Sequence, residues 1–384
     1  MSSSLRRSNL LIILWLSISI FGILSIYSAS MPELIVRGSL PFSMALVQII
    51  IFIACVLLLV VLLKMKKKSY NLVVKLVDPI FYFSIISLIL VQFIGSERGG
   101  AKMVIDLFIL DYQPVELYKI AVILYLAKHL TGKNKPKTFS ELMLLCIKAG
   151  SGCVLLILQP DFGGMVIVVA LIYLVACLYG EFMSTIIKIS LAGISAIAAF
   201  VMFGGFNKLL QHQSGRFTAW FDPFSVAKDE GWGAVQALIA ISNGDINGTG
   251  YLGSIQKTIF KTGAATDYIF VIICEEWGLI GAIFVIGSLS LLAYVCILVG
   301  NSAKNRFGMI YSYGFGLLIL LQLFVNIGGV TNLIPMTGVT LPFISNGINS
   351  FVLLSIGLFI VIIIDHEAVR ERRKLNEQSE RLFL

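Results

Sequence analysis

Long apolar runs, each close to the length of a bilayer crossing, alternate along this chain with short polar segments. A helix needs roughly 20 apolar residues to traverse the hydrocarbon layer. Ten stretches meet that condition, at about 9–28, 42–63, 77–95, 113–130, 140–158, 163–181, 186–205, 267–298, 307–328 and 347–364. The fourth and fifth are the least apolar and carry Glu116, Lys119, Glu141 and Lys148. The eighth is long enough to tilt or to project beyond the bilayer. The pattern predicts an all-α polytopic membrane protein with about ten transmembrane helices, a single integral membrane domain over residues 1–384. A large extracellular loop, 206–266, separates helices 7 and 8, and a cytoplasmic tail covers 366–384.

Composition removes the competing classes. Hydrophobic residues make up 58% of the chain, charged residues 13%, and the mean hydropathy is +0.94. Soluble domains carry about 25% charged residues, which excludes a water-soluble globule. The net charge of +8 is explained by basic loops on one side of the membrane rather than by nucleic acid. Arg6, Arg7, Lys64, Lys66, Lys128, Lys135, Lys304, Arg306 and Arg370 fall on that side. Arg37, Arg98, Lys102, Lys208, Arg216, Lys228, Lys257 and Lys261 fall on the other. The positive-inside rule makes the richer side cytoplasmic, with both termini inside, as an even number of spans requires. The six cysteines all lie in apolar stretches and read as small core residues. His129, His212 and His366 are too scattered for a metal centre. The first apolar run lacks a small-residue cleavage site, so no cleavable signal is expected.

Charges inside spans cost several kcal/mol and mark cavities or partners. In Gln113-Pro114-Val115-Glu116-Leu117-Tyr118-Lys119 the proline opens a helix, and Glu116 and Lys119 share a face. They read either as a dipole-favoured, charge-neutral helix start or as the wall of a polar cavity. Asp161, in Gln159-Pro160-Asp161-Phe162-Gly163, reads as a helix cap or as a site residue. Asp267 follows Thr266 where the large loop enters the eighth span. There Thr266 would cap the helix, or Asp267 would serve as acid or base at a cavity mouth. Glu275 and Glu276 lie two turns deeper. The run 326–350, NIGGVTNLIPMTGVTLPFISNGINS, is too broken by Gly and Pro for an ordinary helix. Such backbone survives at membrane depth only inside protein or along a water-filled space. A cavity-lining segment is therefore expected, with Ser345, Asn346 and Asn349 offering hydrogen bonds or capping the last span. Residues 234–242 are apolar enough to form a short helix along the membrane surface. These features alone do not separate an enzyme from a transporter.

The same stretches together resemble the SEDS family, the shape, elongation, division and sporulation proteins of bacterial cell-wall synthesis. The pieces are Ile26-Tyr27-Ser28-Ala29-Ser30, Gly100-Ala101-Lys102, QPVELYKI at 113–120, QPDFGG at 159–164 and Arg216 with Trp220-Phe221-Asp222-Pro223-Phe224. GDINGTGYLGSIQK at 244–257, TDYIFVIICEEWGLIG at 266–281 and PMTGVTLPFIS at 335–345 complete them. The IQK stretch and the 326–350 ending look nearest to the division branch of Gram-positive bacteria, with the rod-elongation and sporulation branches as alternatives.

This resemblance implies an inverting peptidoglycan glycosyltransferase that polymerises lipid II outside the cytoplasmic membrane for septal wall synthesis. The family's essential aspartate carries over to Asp267, as general base. Glu116, Lys119, Lys102, Arg216, Asp161 and Ser345 carry over as substrate-binding positions. The departing pyrophosphate needs cationic stabilisation, from Lys or Arg or a divalent ion such as magnesium or manganese. The implied partners are a class B penicillin-binding protein transpeptidase and other division proteins. A lipid II translocator and an inactive scaffold are the other readings. Three departures stand out. Residues 260–265 lack the usual Leu-Pro-Glu, Asn332 replaces a customary glycine, and Ile348 replaces another, where a positive φ would strain it.

Overall fold

In the computed structural model, the described residues are 3–65, 67–98, 101–107, 110–133, 135–202, 219–229, 231–260 and 263–382. In chain order the described helices begin with α1 (Ser3–Val36), α2 (Ser43–Met65), α3 (Lys67–Ile94) and α4 (Pro114–His129). They continue with α5 (Phe139–Ala149), α6 (Gly152–Leu158), α7 (Phe162–Tyr179) and α8 (Met183–Met202). After the outer loop come α9 (Trp232–Gly244), the one-turn α10 (Gln256–Ile259), α11 (Ile269–Ser302), α12 (Arg306–Val330) and α13 (Ile348–Leu382). Each of the ten predicted stretches overlaps these helices, 186–205 in its described part. Among the described residues seven helices are long and apolar enough to cross a membrane, or eight if the bent α5–α6 pair is one span. At 16 residues α4 is short, but nearly every side chain on it is buried, among α3, α7, α12 and α13. By contrast α2 buries only Ala45, Gln48, Cys55 and Leu59, and its remaining apolar surface suits lipid.

Four local features add to the sequence pattern. The predicted span 140–158 breaks into α5 and α6 with a 40° bend. Tyr118 fills the break: its hydroxyl donates to the Ala149 carbonyl (2.5 Å) and accepts from the Gly152 N–H (2.9 Å). A side chain inserted into the helical ladder is a standard cause of a kink. The expected loop 95–112 instead folds as a three-stranded antiparallel sheet, β1 (Ser96–Arg98), β2 (Ala101–Leu107) and β3 (Leu110–Tyr112). The expected tail continues the last helix as far as Leu382. Finally, α11 extends over 34 residues, about 50 Å at 1.5 Å per residue, longer than the hydrocarbon core. It is interrupted at Gly278 (φ 61°, ψ −154°), a conformation open essentially only to glycine. The outer loop enters that break. Thr249 N–H donates to the Glu275 carbonyl (2.8 Å), Gly250 N–H to Glu276 (3.0 Å), and Leu279 N–H to Asp245 (3.0 Å).

The two ends of the bundle differ in chemistry. At one end, near both described termini, Arg7 donates to the Leu298 carbonyl and Tyr70 pairs with Asn305. Lys128 and His129 reach Asp78, Lys135 meets Glu181, and Lys304 meets Glu371. The opposite end carries the sheet, the turn at Asp161, the outer loop and the irregular stretch after α12.

Candidate active site

At this second end opens a cavity of about 1050 Å³. Its wall includes the start of α4 at Gln113, Met103 and Val104 on β2, the turn at Pro160 and Asp161, Ala219 and Trp220, the start of α9, the Thr266-Asp267-Tyr268 entry to α11, and the run 329–350. The irregular run lines the cavity, as its Gly and Pro content predicted.

Asp267 faces the cavity and is partly buried. Its backbone is held firmly. Asn326 Nδ2 donates to the Asp267 carbonyl (3.1 Å) and to the Val339 carbonyl (2.7 Å). The Asn346 N–H donates to the Ala265 carbonyl (2.8 Å). The carboxylate, by contrast, meets no hydrogen-bond donor among the described residues. Burial without a donor disfavours the charged form, and the Asp267 pKa is pushed up to about 6. Gly338 (φ +71°) lies opposite, where an added Cβ would stand 3.6 Å from Asp267 Oδ2. The helix itself starts later than expected. Tyr268 is its N-cap residue, without a side-chain cap, and the Thr266 hydroxyl donates to the Gly263 carbonyl (3.3 Å) instead.

The other predicted residues divide into three groups. Asp161 lines the cavity and also caps α7, accepting from the Gly164 N–H (2.8 Å). Burial raises its pKa, while that bond and the nearby Lys119 oppose the rise. Glu116 and Lys119 form a buried ion pair (2.8 Å) directly behind the wall, and the Ser350 hydroxyl, which does line the cavity, donates to Glu116 (3.2 Å). Lys102 is exposed on β2, off the cavity wall formed by its neighbours Met103 and Val104. Arg216 lies outside the described residues.

Ser345 requires a correction. Expected to bind substrate, it is buried off the cavity. Its hydroxyl donates to the Thr266 carbonyl (2.7 Å) and accepts from the Leu341 N–H (2.8 Å). Both of its hydrogen-bonding directions are used inside the protein. Ser345→Ala should therefore lower stability by about 1–3 kcal/mol, the cost of stranding buried polar groups. A thermal melt in detergent reads this; a raised substrate KM with an unchanged melt would restore the binding role.

Two departures from the family pattern prove compatible with the backbone. Asn332 adopts φ 60°, which asparagine tolerates, and its Nδ2 bonds the Trp220 carbonyl (2.9 Å). Ile348 is the first residue of α13 and has no positive φ to resist.

Sequence reasoning left open the roles of Glu275 and Glu276. Both are buried and both fasten the outer loop. Glu275 accepts from Gln256 N–H (3.2 Å), Ile255 N–H (3.3 Å), Asn243 Nδ2 (3.2 Å) and the Ser254 hydroxyl. Glu276 pairs with Lys257 Nζ (2.8 Å) and accepts from the Ser28 hydroxyl (2.5 Å) on α1. The role of Asn326 was missed; a polar residue within an otherwise apolar helix was the available signal.

The cavity is acidic. Asp111, Asp161, Asp229 and Asp267 line it, and none of the described lining residues is basic. A partly buried, donor-free carboxylate with a raised pKa in an open cavity has the properties of a general base near neutral pH.

A family model described as cell cycle protein, covering FtsW, RodA and SpoVE, matches residues 8–370. The probable peptidoglycan glycosyltransferase FtsW of Haemophilus influenzae is 31% identical over 361 residues, covering 92% of this chain and 89% of that protein. The like-named protein of Enterococcus hirae is 30% identical over 379 residues, covering 96% and 94%. Among solved structures, a chain of a peptidoglycan synthase complex that coordinates polymerization and crosslinking superposes with a TM-score of 0.73. It shares 24% identity and covers 93% of this chain and 97% of that one. The rod shape determining protein RodA of Thermus thermophilus gives a TM-score of 0.64 at 23% identity, covering 93% and 96%. These two likenesses establish the fold.

Proposed function

Because the chain belongs to the FtsW/RodA/SpoVE family of cell cycle proteins, we infer that it is a multi-pass bacterial membrane enzyme. It is a peptidoglycan glycosyltransferase of septal wall synthesis, and it polymerises lipid II with Asp267 as general base. The observation that carries the catalytic assignment is the Asp267 carboxylate: cavity-facing, without a donor among the described residues, and with its pKa pushed up to about 6 by burial.

The chemistry follows from that placement. A 4-hydroxyl of an acceptor N-acetylglucosamine attacks the anomeric carbon of a donor sugar. The new C–O bond forms as the bond to the lipid pyrophosphate breaks, with inversion, and the electron pair leaves on the phosphate oxygen. The hydroxyl proton passes to Asp267, which is mostly ionised at neutral pH. Clamping by Asn326 fixes the Asp267 backbone, from which the carboxylate extends, before the substrate arrives. Asp161 lines the same cavity and caps α7.

The leaving pyrophosphate needs cations. We assign this to Lys102, beside the wall, and to Arg216; Lys119 acts behind the wall, neutralising Glu116. Among the described residues no three His, Cys, Asp or Glu side chains converge as metal ligands. The cavity end faces outward, opposite the lysine- and arginine-rich end that carries the termini. A class B penicillin-binding protein transpeptidase is the partner that would cross-link the product.

The test is glycan-strand synthesis from lipid II by the purified protein with its transpeptidase. The same preparation in liposomes is scored separately for lipid II flipping. Polymerisation is expected; flipping without polymerisation would replace this reading with a translocator.

A further inference from the structure

We propose that Trp232 is the stacking platform for a hexosamine ring in this cavity, so that the described walls receive the sugars of the substrate. This rests on the glycosyltransferase reading and adds a subsite to it.

Trp232 opens α9 and lines the cavity with 37% of its surface exposed. That is far from the packing of Trp15, which is 1% exposed in the bundle core. Its indole N–H has no acceptor among the described residues, whereas that of Trp220 donates to the Leu333 carbonyl (3.2 Å). The ring is nevertheless supported from behind. It meets the buried Phe260 edge-on (centroids 5.8 Å, 75°), and Phe260 stacks on Tyr268 (4.5 Å, 23°), the residue after Asp267. The chain of rings sets an open aromatic surface at a fixed offset from the catalytic carboxylate. The C–H-rich face of a pyranose packs on such a surface, and an indole N–H at its edge is free to meet a hydroxyl.

The polar groups sharing the cavity fit the same ligand. Asn332, Asn346 and Asn349 line it, and each commits its amide nitrogen to the protein: to the Trp220 carbonyl (2.9 Å), the Met44 sulfur (3.3 Å) and the Gln113 carbonyl (2.9 Å). The three amide oxygens have no donor among the described residues. Together with Asp161, Asp229 and Asp267 they make an acceptor-rich wall without a described cation. Such a wall repels a pyrophosphate and attracts the many O–H and N–H donors of an N-acetylated sugar. The arrangement therefore separates the substrate: sugars against Trp232, and the phosphates toward the cations outside the described lining.

The test uses the full-length protein with its transpeptidase and a soluble β-1,4-linked N-acetylglucosamine tetrasaccharide as probe. The tetrasaccharide should perturb tryptophan emission in the wild type and in Trp220→Phe, but not in Trp232→Phe. Trp232→Leu, which keeps an apolar contact for Phe260, should raise the KM for lipid II and the inhibition constant of the tetrasaccharide about tenfold. Its kcat and melting temperature should stay near wild type, which a merely structural role would not allow. An active wild type whose KM and inhibition constant are unmoved in Trp232→Leu, or an emission change that persists in Trp232→Phe, overturns the platform. A wild type that binds the tetrasaccharide through Trp232 yet makes no glycan keeps the platform and overturns the glycosyltransferase reading.

Discussion

Asp267→Asn protein is expected to lose glycan synthesis from lipid II by about 10²–10⁴-fold, the usual contribution of a general base, and to fold at least as stably as the wild type. Both expectations follow from the same environment. The Asp267 pKa is raised from 3.8 to about 6 by burial, with no bond or cation in opposition. A carboxyl whose folded-state pKa lies above its unfolded value weakens the fold when it ionises. That cost is absent below about pH 4, grows through pH 6, and at pH 7 amounts to about 3 kcal/mol by linkage. The amide removes the charge together with the cost, so the melting temperature at pH 7 should hold or rise. In the wild type, kcat/KM should climb with pH through about 6 as the base deprotonates. A profile flat from pH 5 to 8, or an Asp267→Asn protein retaining most of its rate, would remove Asp267 from the proton transfer.

How much of this was legible in the sequence depends on the residue. The apolar runs were readable because hydrocarbon demands length, and all ten overlap helices, of which seven or eight among the described residues are long and apolar enough to cross a membrane. The break between α5 and α6 was hidden because its cause, Tyr118, lies on another helix. The sheet at 96–112 was hidden because its alternation is short and adjoins two spans. Asp267 and Asp161 were singled out by motif position, and both line the cavity. Spacing alone could not show that Glu116 and Lys119 would pair behind the wall, since a cavity wall and a buried pair have the same sequence signature. Ser345 was assigned to substrate because a polar residue in a broken segment reads as available. Only the structure reveals that Thr266 and Leu341 use both of its hydrogen-bonding directions. The attachment of the loop to α11 depends on pairings across about 20 to 30 residues of chain, which no local pattern encodes.

That attachment carries the second large effect. Lys257→Ala is expected to destabilise the protein by about 3–5 kcal/mol, the cost of stranding a buried charge. The Lys257–Glu276 pair is almost fully buried, with side chains 6% and 2% exposed. Without Lys257, the described donors left to the Glu276 carboxylate are the Ser28 hydroxyl and a long contact from the Ser254 N–H (3.5 Å). The loss should also reach the cavity, because α9 and Asp267 are tied to the same stretch of α11. The double variant Lys257→Met, Glu276→Gln keeps volume while removing both charges, and it should recover most of the stability and much of the activity. The pair is then a matched burial whose value lies in holding the loop against α1 and α11, rather than a source of net stability. Thermal melts and lipid II polymerisation by the two single variants and the double variant make the cycle. If Lys257→Ala melts like the wild type, the loop is held by Glu275 and the inserted backbone alone. If the double variant is as unstable as the single one, the loss comes from packing of the lysine stem rather than from the unpaired charge.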